Sequence, residues 1–231
     1  AGGYPDRHRF IECCRAVADS GFDFIEIGIP FNDPIADGPV IAEAIQKAIT
    51  CGATPDSVMQ DIDGLRDLKI KKFVMTYANI IYSYGIRNFS DRMAPLLDGV
   101  IIPDLPNRMA GLFRDSGCAI PIVPFATLES RESDIDRMND SPGEIIYFIG
   151  VRGITGAQSD FTAPELVDKI GMLRQRTGKK IIIGCGIKSA GDAIQASALG
   201  DGFVVGTEAV RRQGDPAALR SYLGSLCHAP A

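Results

Sequence analysis

The strongest constraint on this chain is an alternation, repeated along its whole length, between short β-branched runs and longer segments with helical spacing. This pattern is typical of strand–helix units on a parallel sheet. Seven strands are predicted, at residues 22–30, 72–77, 99–105, 120–125, 144–151, 180–186 and 202–206. The chain is therefore predicted to be an α/β protein.

The segments between the predicted strands carry helix start and stop signals. Asp6 precedes an amphipathic stretch that ends at Gly21, and Ser189 precedes one that ends at Gly200. Pro39 is suited to the first turn of the helix after the first strand. Because no linker-like segment interrupts the units, we predict one domain over residues 1–231.

The first strand favours a closed barrel over an open sheet. Alternation places three isoleucines on one of its faces and a carboxylate on the other; the two sets are Ile25, Ile27 and Ile29, and Phe24, Glu26 and Gly28. In a barrel, an inward side chain near a strand's carboxyl end faces the active-site mouth. Because a helix precedes the first visible strand, we predict a (β/α)8 TIM barrel whose first strand is missing from this chain.

Composition excludes several classes of function. A net charge of −5 has the wrong sign for nucleic-acid binding, and no apolar run is long enough to span a membrane. The two histidines lie near opposite ends, and the six cysteines lack metal-ligand spacing, so we expect no metal site and reduced core thiols. A cytoplasmic protein is expected.

The most informative segment is 26–39, Glu-Ile-Gly-Ile-Pro-Phe-Asn-Asp-Pro-Ile-Ala-Asp-Gly-Pro. Its prolines restrict the loop and allow Asp37 to be held over the strand ends. An inward, desolvated Glu26 would titrate near neutral pH and exchange protons, while Asp37 could stay ionised and stabilise positive charge. The alternative is that Glu26 pairs with a buried cation and Asp37 caps a turn.

Glycine-rich segments follow the last three predicted strands. They are Gly153-Ile-Thr-Gly156, Gly184-Cys-Gly186 and Gly206-Thr207. Barrel enzymes often bind phosphate with the loops after the last two strands, where glycine permits close approach to backbone N–H groups. These segments indicate a phosphate site, although each glycine alone is equally suited to turning a strand into a helix.

Two tyrosines, Tyr77 and Tyr147, fall at or inside strands and can offer an aromatic substrate a flat surface inside the barrel. A purely structural role in the core is the alternative. No nucleotide-binding motif is present, and no lysine lies within the predicted strand interiors, which disfavours a Schiff-base aldolase.

Residues 26–39 closely resemble the signature of the tryptophan synthase alpha chain family. Further matches occur in the family's order and spacing, at 3–6 (Gly-Tyr-Pro-Asp), 77–79 (Tyr-Ala-Asn), 103–106 (Pro-Asp-Leu-Pro), 153–157 (Gly-Ile-Thr-Gly-Ala) and 184–187 (Gly-Cys-Gly-Ile). The resemblance covers essentially the whole chain. It implies a cofactor-free lyase that cleaves indole-3-glycerol phosphate to indole and glyceraldehyde 3-phosphate.

The resemblance also implies residue roles. Glu26 matches the general acid/base, and Asp37 matches the carboxylate that binds the indole N–H and stabilises the indolenine cation. Tyr147 matches a tyrosine beside the pocket, and Thr155 and Gly156 match a loop that closes over the substrate. The phosphate-binding backbone matches Gly156, Gly186, Gly206 and Thr207, with Gly184 and Tyr77 as further substrate-binding candidates.

The implied partner is a tryptophan synthase beta subunit, which carries pyridoxal phosphate and receives indole through a tunnel in an α2β2 complex. Asn32, Asp33 and Pro34 are then expected near the contact. The sequence departs from the family pattern at 123–127 (Val-Pro-Phe-Ala-Thr) and at Gln158, and its missing first strand predicts weaker desolvation of Glu26. Alternatives are a non-catalytic module that activates a beta subunit, or another phosphate-binding barrel isomerase or decarboxylase.

Overall fold

A computed structural model describes residues 1–150, 161–184 and 186–227, and its strands form two four-stranded parallel sheets. The first sheet has the order β1-β2-β3-β4, with strands Phe24–Gly28, Lys71–Met75, Gly99–Ile101 and Ile122–Val123. The second has the order β5-β6-β7-β8, with strands Phe125–Thr127, Ile145–Ile149, Lys180–Ile183 and Gly202–Phe203. Sequential parallel order is the arrangement that a (β/α) barrel requires.

Helices connect the strands as the alternating pattern predicts. In chain order, α1 to α11 are Arg7–Ala18, Pro39–Thr50, Pro55–Gly64, Ala78–Tyr84, Ile86–Met93, Ala110–Asp115, Glu132–Met138, Pro164–Arg176, Ala190–Leu199, Thr207–Arg211 and Pro216–Cys227, with a 3₁₀ turn at Asn107–Met109. The predicted caps are confirmed: the Asp6 side chain accepts from Arg9 N–H, and Ser189 forms a capping box with Asp192.

The predicted count of seven strands is wrong in one respect. Among the described residues, seven chain segments contribute strands to the barrel wall. One of them, 122–127, contributes two strands, β4 and β5, which are separated by Pro124. Proline has no N–H to donate, and at this point the chain stops pairing with β3 and begins pairing with β6. Within the described residues the wall therefore has eight hydrogen-bonded strands in two sheets, contributed by seven chain segments.

The alternation predicted for β1 is confirmed by the packing. Ile25, Ile27 and Ile29 are buried in the outer core between the first sheet and its helices. Phe24 instead contacts an inner cluster, which we call the lumen cluster; it comprises Phe73, Ile101, Val123 and Tyr147 with the partly buried Phe24, Met75, Phe125, Ile145, Ile149 and Val204. This cluster draws side chains from both sheets and lines the barrel interior.

The segment 1–4 lies at the end of β1. Gly2 N–H donates to Gly28 O (2.8 Å), and the Gln213 side chain donates to the carbonyl oxygens of Ala1 and Tyr4 (2.7 and 2.8 Å). Among the described residues, no strand pairing joins β8 to β1. The 1–4 segment therefore links the end of β1 to the loop between α10 and α11.

Two expectations about single residue types need correction. Lys72 lies inside β2 and is buried, but its Nζ donates to Leu68 O (2.9 Å) on the face opposite the lumen. Of the cysteines that the structure describes, three are buried, whereas Cys51 and Cys227 are exposed. Within residues 1–150, 161–184 and 186–227, no helix is long and apolar enough to cross a membrane.

Candidate active site

Glu26 lies on β1, and its side chain lines a cavity whose wall includes residues from both faces of that strand. Its Oε2 atom is shielded from solvent and has no hydrogen-bond partner among the described residues. Burial raises the pKa of Glu26 to about 7, with a further increase from the negative charge of Asp37 and an opposing effect from the amino group of Ala1. Glu26 is therefore strongly desolvated, and weaker desolvation than in a barrel with its first strand stays a prediction.

Asp37 lies in the loop between β1 and α2 and lines the same cavity. Burial raises its pKa above the ordinary value, while a hydrogen bond from Tyr77 and the charge of the Ala1 amino group lower it. The Tyr77 hydroxyl donates to Asp37 Oδ2 at 2.7 Å. The alternative in which Asp37 only caps a turn does not explain this contact with a residue 40 positions along the chain.

Short-range hydrogen bonds shape the loop that carries Asp37. Ile35 N–H donates to Asp33 O (2.9 Å), and Asp37 N–H donates to Pro34 O (3.1 Å). Pro39 then begins α2, as predicted. Two successive turns in a proline-rich segment leave the loop few conformations and point Asp37 towards the barrel.

Tyr77 is placed at the end of β2, directly before α4. Its hydroxyl also accepts a hydrogen bond from Ala36 N–H (3.1 Å), and its ring packs on Phe31 with centroids 5.0 Å apart. Burial, and then the bond to Asp37, raise the pKa of Tyr77. The hydroxyl predicted as a handle for substrate is thus engaged by the loop after β1.

Asp104 follows β3 and accepts a hydrogen bond from Ala78 N–H (2.8 Å). Ala78 is the first residue of α4, so this bond fixes the backbone next to Tyr77. Asp104 lay within a motif recognised in the sequence, but its contact was missed. Its position just beyond a strand's carboxyl end was the available signal.

The cavity that contains Glu26 and Asp37 has a volume of about 160 Å³. Its walls come from the carboxyl-end residues of β1, β2 and the segment after β8, together with apolar side chains from α1, α2 and α11. Tyr77 and Gly206 are among the lining residues. The structure therefore brings four of the predicted site residues to one partly open cavity.

Tyr147 points into the lumen, as predicted, and is buried. Gly184 lies on the neighbouring chain segment, where a Cβ atom would overlap the Tyr147 ring. The N–H of Gly184 donates to Phe148 O (2.8 Å), which leaves this group no free hydrogen for an anion. The structure therefore explains Gly184 by close packing against Tyr147.

The remaining predicted residues are the candidate phosphate ligands. Gly206 is the N-cap of α10, Thr207 is the first residue of that helix, and Gly186 adopts a positive φ of 76°. Gly206 and Gly186 follow β8 and β7, where barrel enzymes often bind phosphate. Thr155 and Gly156 lie outside the described residues.

Comparison with known proteins identifies one family. The family model described as tryptophan synthase alpha chain matches residues 1–222. A tryptophan synthase alpha chain from Staphylococcus carnosus is 34% identical over 94% of this chain and 89% of its own length. One from Burkholderia lata is 32% identical over 97% of this chain and 86% of its own.

Solved structures give the same result for the fold. Tryptophan synthase from Mycobacterium tuberculosis superposes with a TM-score of 0.88 at 26% identity, covering 97% of this chain and 87% of that one. The alpha subunit from Campylobacter jejuni has a TM-score of 0.86 at 26% identity, covering 97% and 92%. These neighbours confirm the predicted TIM barrel. The chain belongs to the tryptophan synthase alpha chain family, lyases that cleave indole-3-glycerol phosphate in tryptophan biosynthesis.

Proposed function

We propose that this chain cleaves indole-3-glycerol phosphate by a retro-aldol reaction in which Glu26 transfers protons. The observation that carries the proposal is the solvent-shielded Glu26 Oε2, on a carboxyl whose pKa of about 7 suits both donation and acceptance near neutral pH. Membership of a lyase family supports the same reaction.

The proton balance requires two positioned carboxyl groups. Protonated Glu26 donates its proton to indole C3, which creates a cation shared with the ring nitrogen, and Asp37 stabilises that positive charge. Glu26 takes the proton from the side-chain hydroxyl next to C3. The C–C bond then breaks, its electron pair restores the indole ring, and the former hydroxyl becomes the aldehyde of glyceraldehyde 3-phosphate.

Tyr77 holds Asp37 for this role. Because the hydroxyl donates to Oδ2, it favours the ionised carboxylate that a cationic ring needs. The other carboxylate oxygen, Oδ1, is then left to accept the indole N–H. Tyr77 therefore acts on the substrate through Asp37.

The remaining residues bind the two ends of the substrate. Tyr147 and the apolar lumen cluster receive the indole ring. Gly186, Gly206 and Thr207 bind the phosphate through backbone N–H groups, with Gly184 admitting Tyr147, and Thr155 and Gly156 close over the substrate. We assign the phosphate end of the substrate to Gly186 and Gly206 because these glycines follow β7 and β8 in the chain.

The chain acts without a cofactor, in the cytoplasm, as part of an α2β2 complex with a beta subunit that binds pyridoxal phosphate. Support for the partner comes from the loop after β1, in which Asn32 and Asp33 are exposed, Pro34 is half-exposed and Ile35 is 67% exposed. An exposed isoleucine beside polar residues is typical of an interface rim.

The test is indole release from indole-3-glycerol phosphate, measured with and without a beta subunit. Glu26→Gln should lower kcat by at least about 100-fold, because general acid–base catalysis contributes on that order. Glu12→Gln, in the exposed part of α1, is the matched control and should leave kcat unchanged. Wild-type turnover by Glu26→Gln would refute the proposed role. Beta-subunit activation that survives without lyase activity would favour the non-catalytic module.

A further inference from the structure

Because the chain changes sheet at Pro124, no strand in the described part of the chain pairs with the backbone of Phe125 on one side. On the other side β5 pairs with β6, and Tyr147 N–H donates to Pro124 O at 2.9 Å. The vacant edge is occupied by one side chain: Asn107 Nδ2 donates to Phe125 O (2.7 Å), and Phe125 N–H donates to Asn107 Oδ1 (3.2 Å). The Asn107 amide thus replaces a neighbouring strand and fixes Phe125 at two points.

The Phe125 ring fixed in this way lies inside the barrel. It pairs in register with Tyr147, and the two ring centroids are 5.2 Å apart at an interplanar angle of 48°. Both residues belong to the lumen cluster, whose members Phe24 and Met75 also line the cavity of Glu26. Phe125 and Tyr147 do not themselves line that cavity, so Phe24 and Met75 connect the Phe125–Tyr147 pair to it within one apolar cluster.

Phe125 is also half-buried, whereas its partner Tyr147 is only 6% exposed. Part of Phe125 therefore remains accessible, and a ring bound against the Phe125–Tyr147 pair would cover it. The position falls in the 123–127 stretch, one of the places where this sequence departs from the family pattern. A large side chain held rigidly at such a point limits the size of what can bind beside it.

We propose that Phe125, positioned by Asn107, sets the upper size limit for the aromatic ring of the substrate. The inference rests on the proposed function. It assigns Phe125 as a specificity-determining residue and Asn107 as the residue that positions it. Unsubstituted indole fits against the Phe125–Tyr147 pair, and indoles with a substituent on the six-membered ring bind less well because the substituent contacts the Phe125 ring.

The experiment uses the reverse condensation of glyceraldehyde 3-phosphate with indole or with 4-, 5-, 6- and 7-methylindole. The measured quantity is kcat/KM for the best methylindole divided by kcat/KM for indole. Phe125→Ala should raise this ratio about tenfold, the usual effect of pocket size on one methyl group. Asn107→Ala should raise it by a smaller factor, because the ring is kept but its backbone is released.

Phe113→Leu is the matched control. Phe113 is a buried phenylalanine of the outer core on α6, so its truncation should lower stability without changing the ratio. Phe125→Leu serves if Phe125→Ala does not fold, as judged by circular dichroism. Binding of the same indoles, measured by calorimetry, gives a ratio that does not require turnover.

The outcomes separate the two proposals. An unchanged ratio in a folded Phe125 variant, in condensation or in binding, would overturn the specificity role. A further outcome is a parent chain that catalyses no condensation but still binds indole better than the methylindoles. If that preference is weaker in Phe125→Ala, the result refutes the proposed function and supports the size limit. Absence of binding to every indole would overturn both.

Discussion

At the scale of single residues, two carboxyl groups in one cavity are given different surroundings. Burial raises the pKa of both, but only Asp37 receives a hydrogen bond, from Tyr77, that favours its ionised form. Oε2 of Glu26 has no such donor among the residues described. Separation of the two pKa values allows one carboxyl to exchange protons while its neighbour stays charged.

The hydrogen bond of Tyr77 predicts a change in pH dependence. Tyr77→Phe removes a group that lowers the pKa of Asp37, so this pKa should rise and the acidic limb of the kcat/KM profile should move to higher pH. We expect about a tenfold loss of kcat/KM at pH 6 and a smaller loss at pH 8. Tyr82→Phe, on an exposed tyrosine of α4, should leave the profile unchanged. A uniform loss at all pH values would contradict the role.

A second prediction concerns Thr76, whose buried Oγ1 lacks a hydrogen-bond partner within the described part of the chain. Thr76→Val replaces this hydroxyl with a methyl group of similar size and should raise the free energy of unfolding by about 1 kcal/mol. The matched control is Thr177→Val, because Thr177 Oγ1 donates to Leu173 O (2.9 Å) and its loss should be destabilising. Urea denaturation of both variants provides the measurement.

At the scale of elements, β6 and the segment after β7 are fitted to each other through Tyr147 and Gly184. Parallel pairing of β6 with β7 places the Tyr147 ring over the Gly184 backbone, where there is no space for a Cβ atom. The same pairing turns the tyrosine towards the lumen. A glycine at this position therefore determines where an aromatic wall of the site lies.

Gly184→Ala should displace Tyr147 and lower kcat/KM at least about tenfold, because overpacking of this kind typically costs 1–3 kcal/mol. Gly171→Ala provides the control, since Gly171 lies in α8 with no atom near its Cβ position. That change should stabilise the protein by up to about 1 kcal/mol and preserve activity. Equal activity in the two variants would show that Tyr147 is not held by Gly184.

The sequence allowed the elements to be predicted, because their signals are local. Asp6 and Ser189 mark helix starts through side chains that bind backbone groups three residues away. The contacts of Tyr77 with Asp37, and of Asn107 with Phe125, join residues 40 and 18 positions apart. Such contacts depend on which strand ends meet, so no periodicity in the sequence reveals them.

The split at Pro124 has the same explanation. The segment around Pro124 was predicted to be one ordinary strand. The sequence of a single segment does not show that its two halves pair with different neighbouring strands. Glu26 was predicted correctly as inward, since alternation along β1 depends only on that strand. Its proton affinity required the packing of the whole cavity.

At the scale of the whole molecule, the raised pKa of Glu26 couples catalysis to stability. The folded protein holds the Glu26 proton up to about pH 7, whereas an unfolded glutamate releases it near its ordinary value of 4.5. Folded protein therefore binds more protons between these values, and stability is lost as pH rises through them. Glu26 therefore lowers the free energy of unfolding most at pH values where its carboxyl is ionised in the folded protein.

Glu26→Gln should remove this cost. At pH 5 the variant and the parent should have similar free energies of unfolding, because Glu26 is then protonated in the folded state. At pH 8 the variant should be more stable by about 2–3 kcal/mol, an order-of-magnitude conversion of the pKa difference. Denaturant unfolding at both pH values measures the effect; a difference that does not grow with pH would contradict the burial of an ionised Glu26.

The change of partners at Pro124 also makes the barrel modular. The first sheet and its helices share one outer core, and the second sheet and its helices share another, while the lumen cluster draws on both. Position 124 is therefore a natural crossover point for chimaeras assembled from two relatives. Each parent would contribute an intact outer core, and the lumen side chains, with Asn107 and Phe125 on opposite sides of the crossover, would have to be inherited as a matched set.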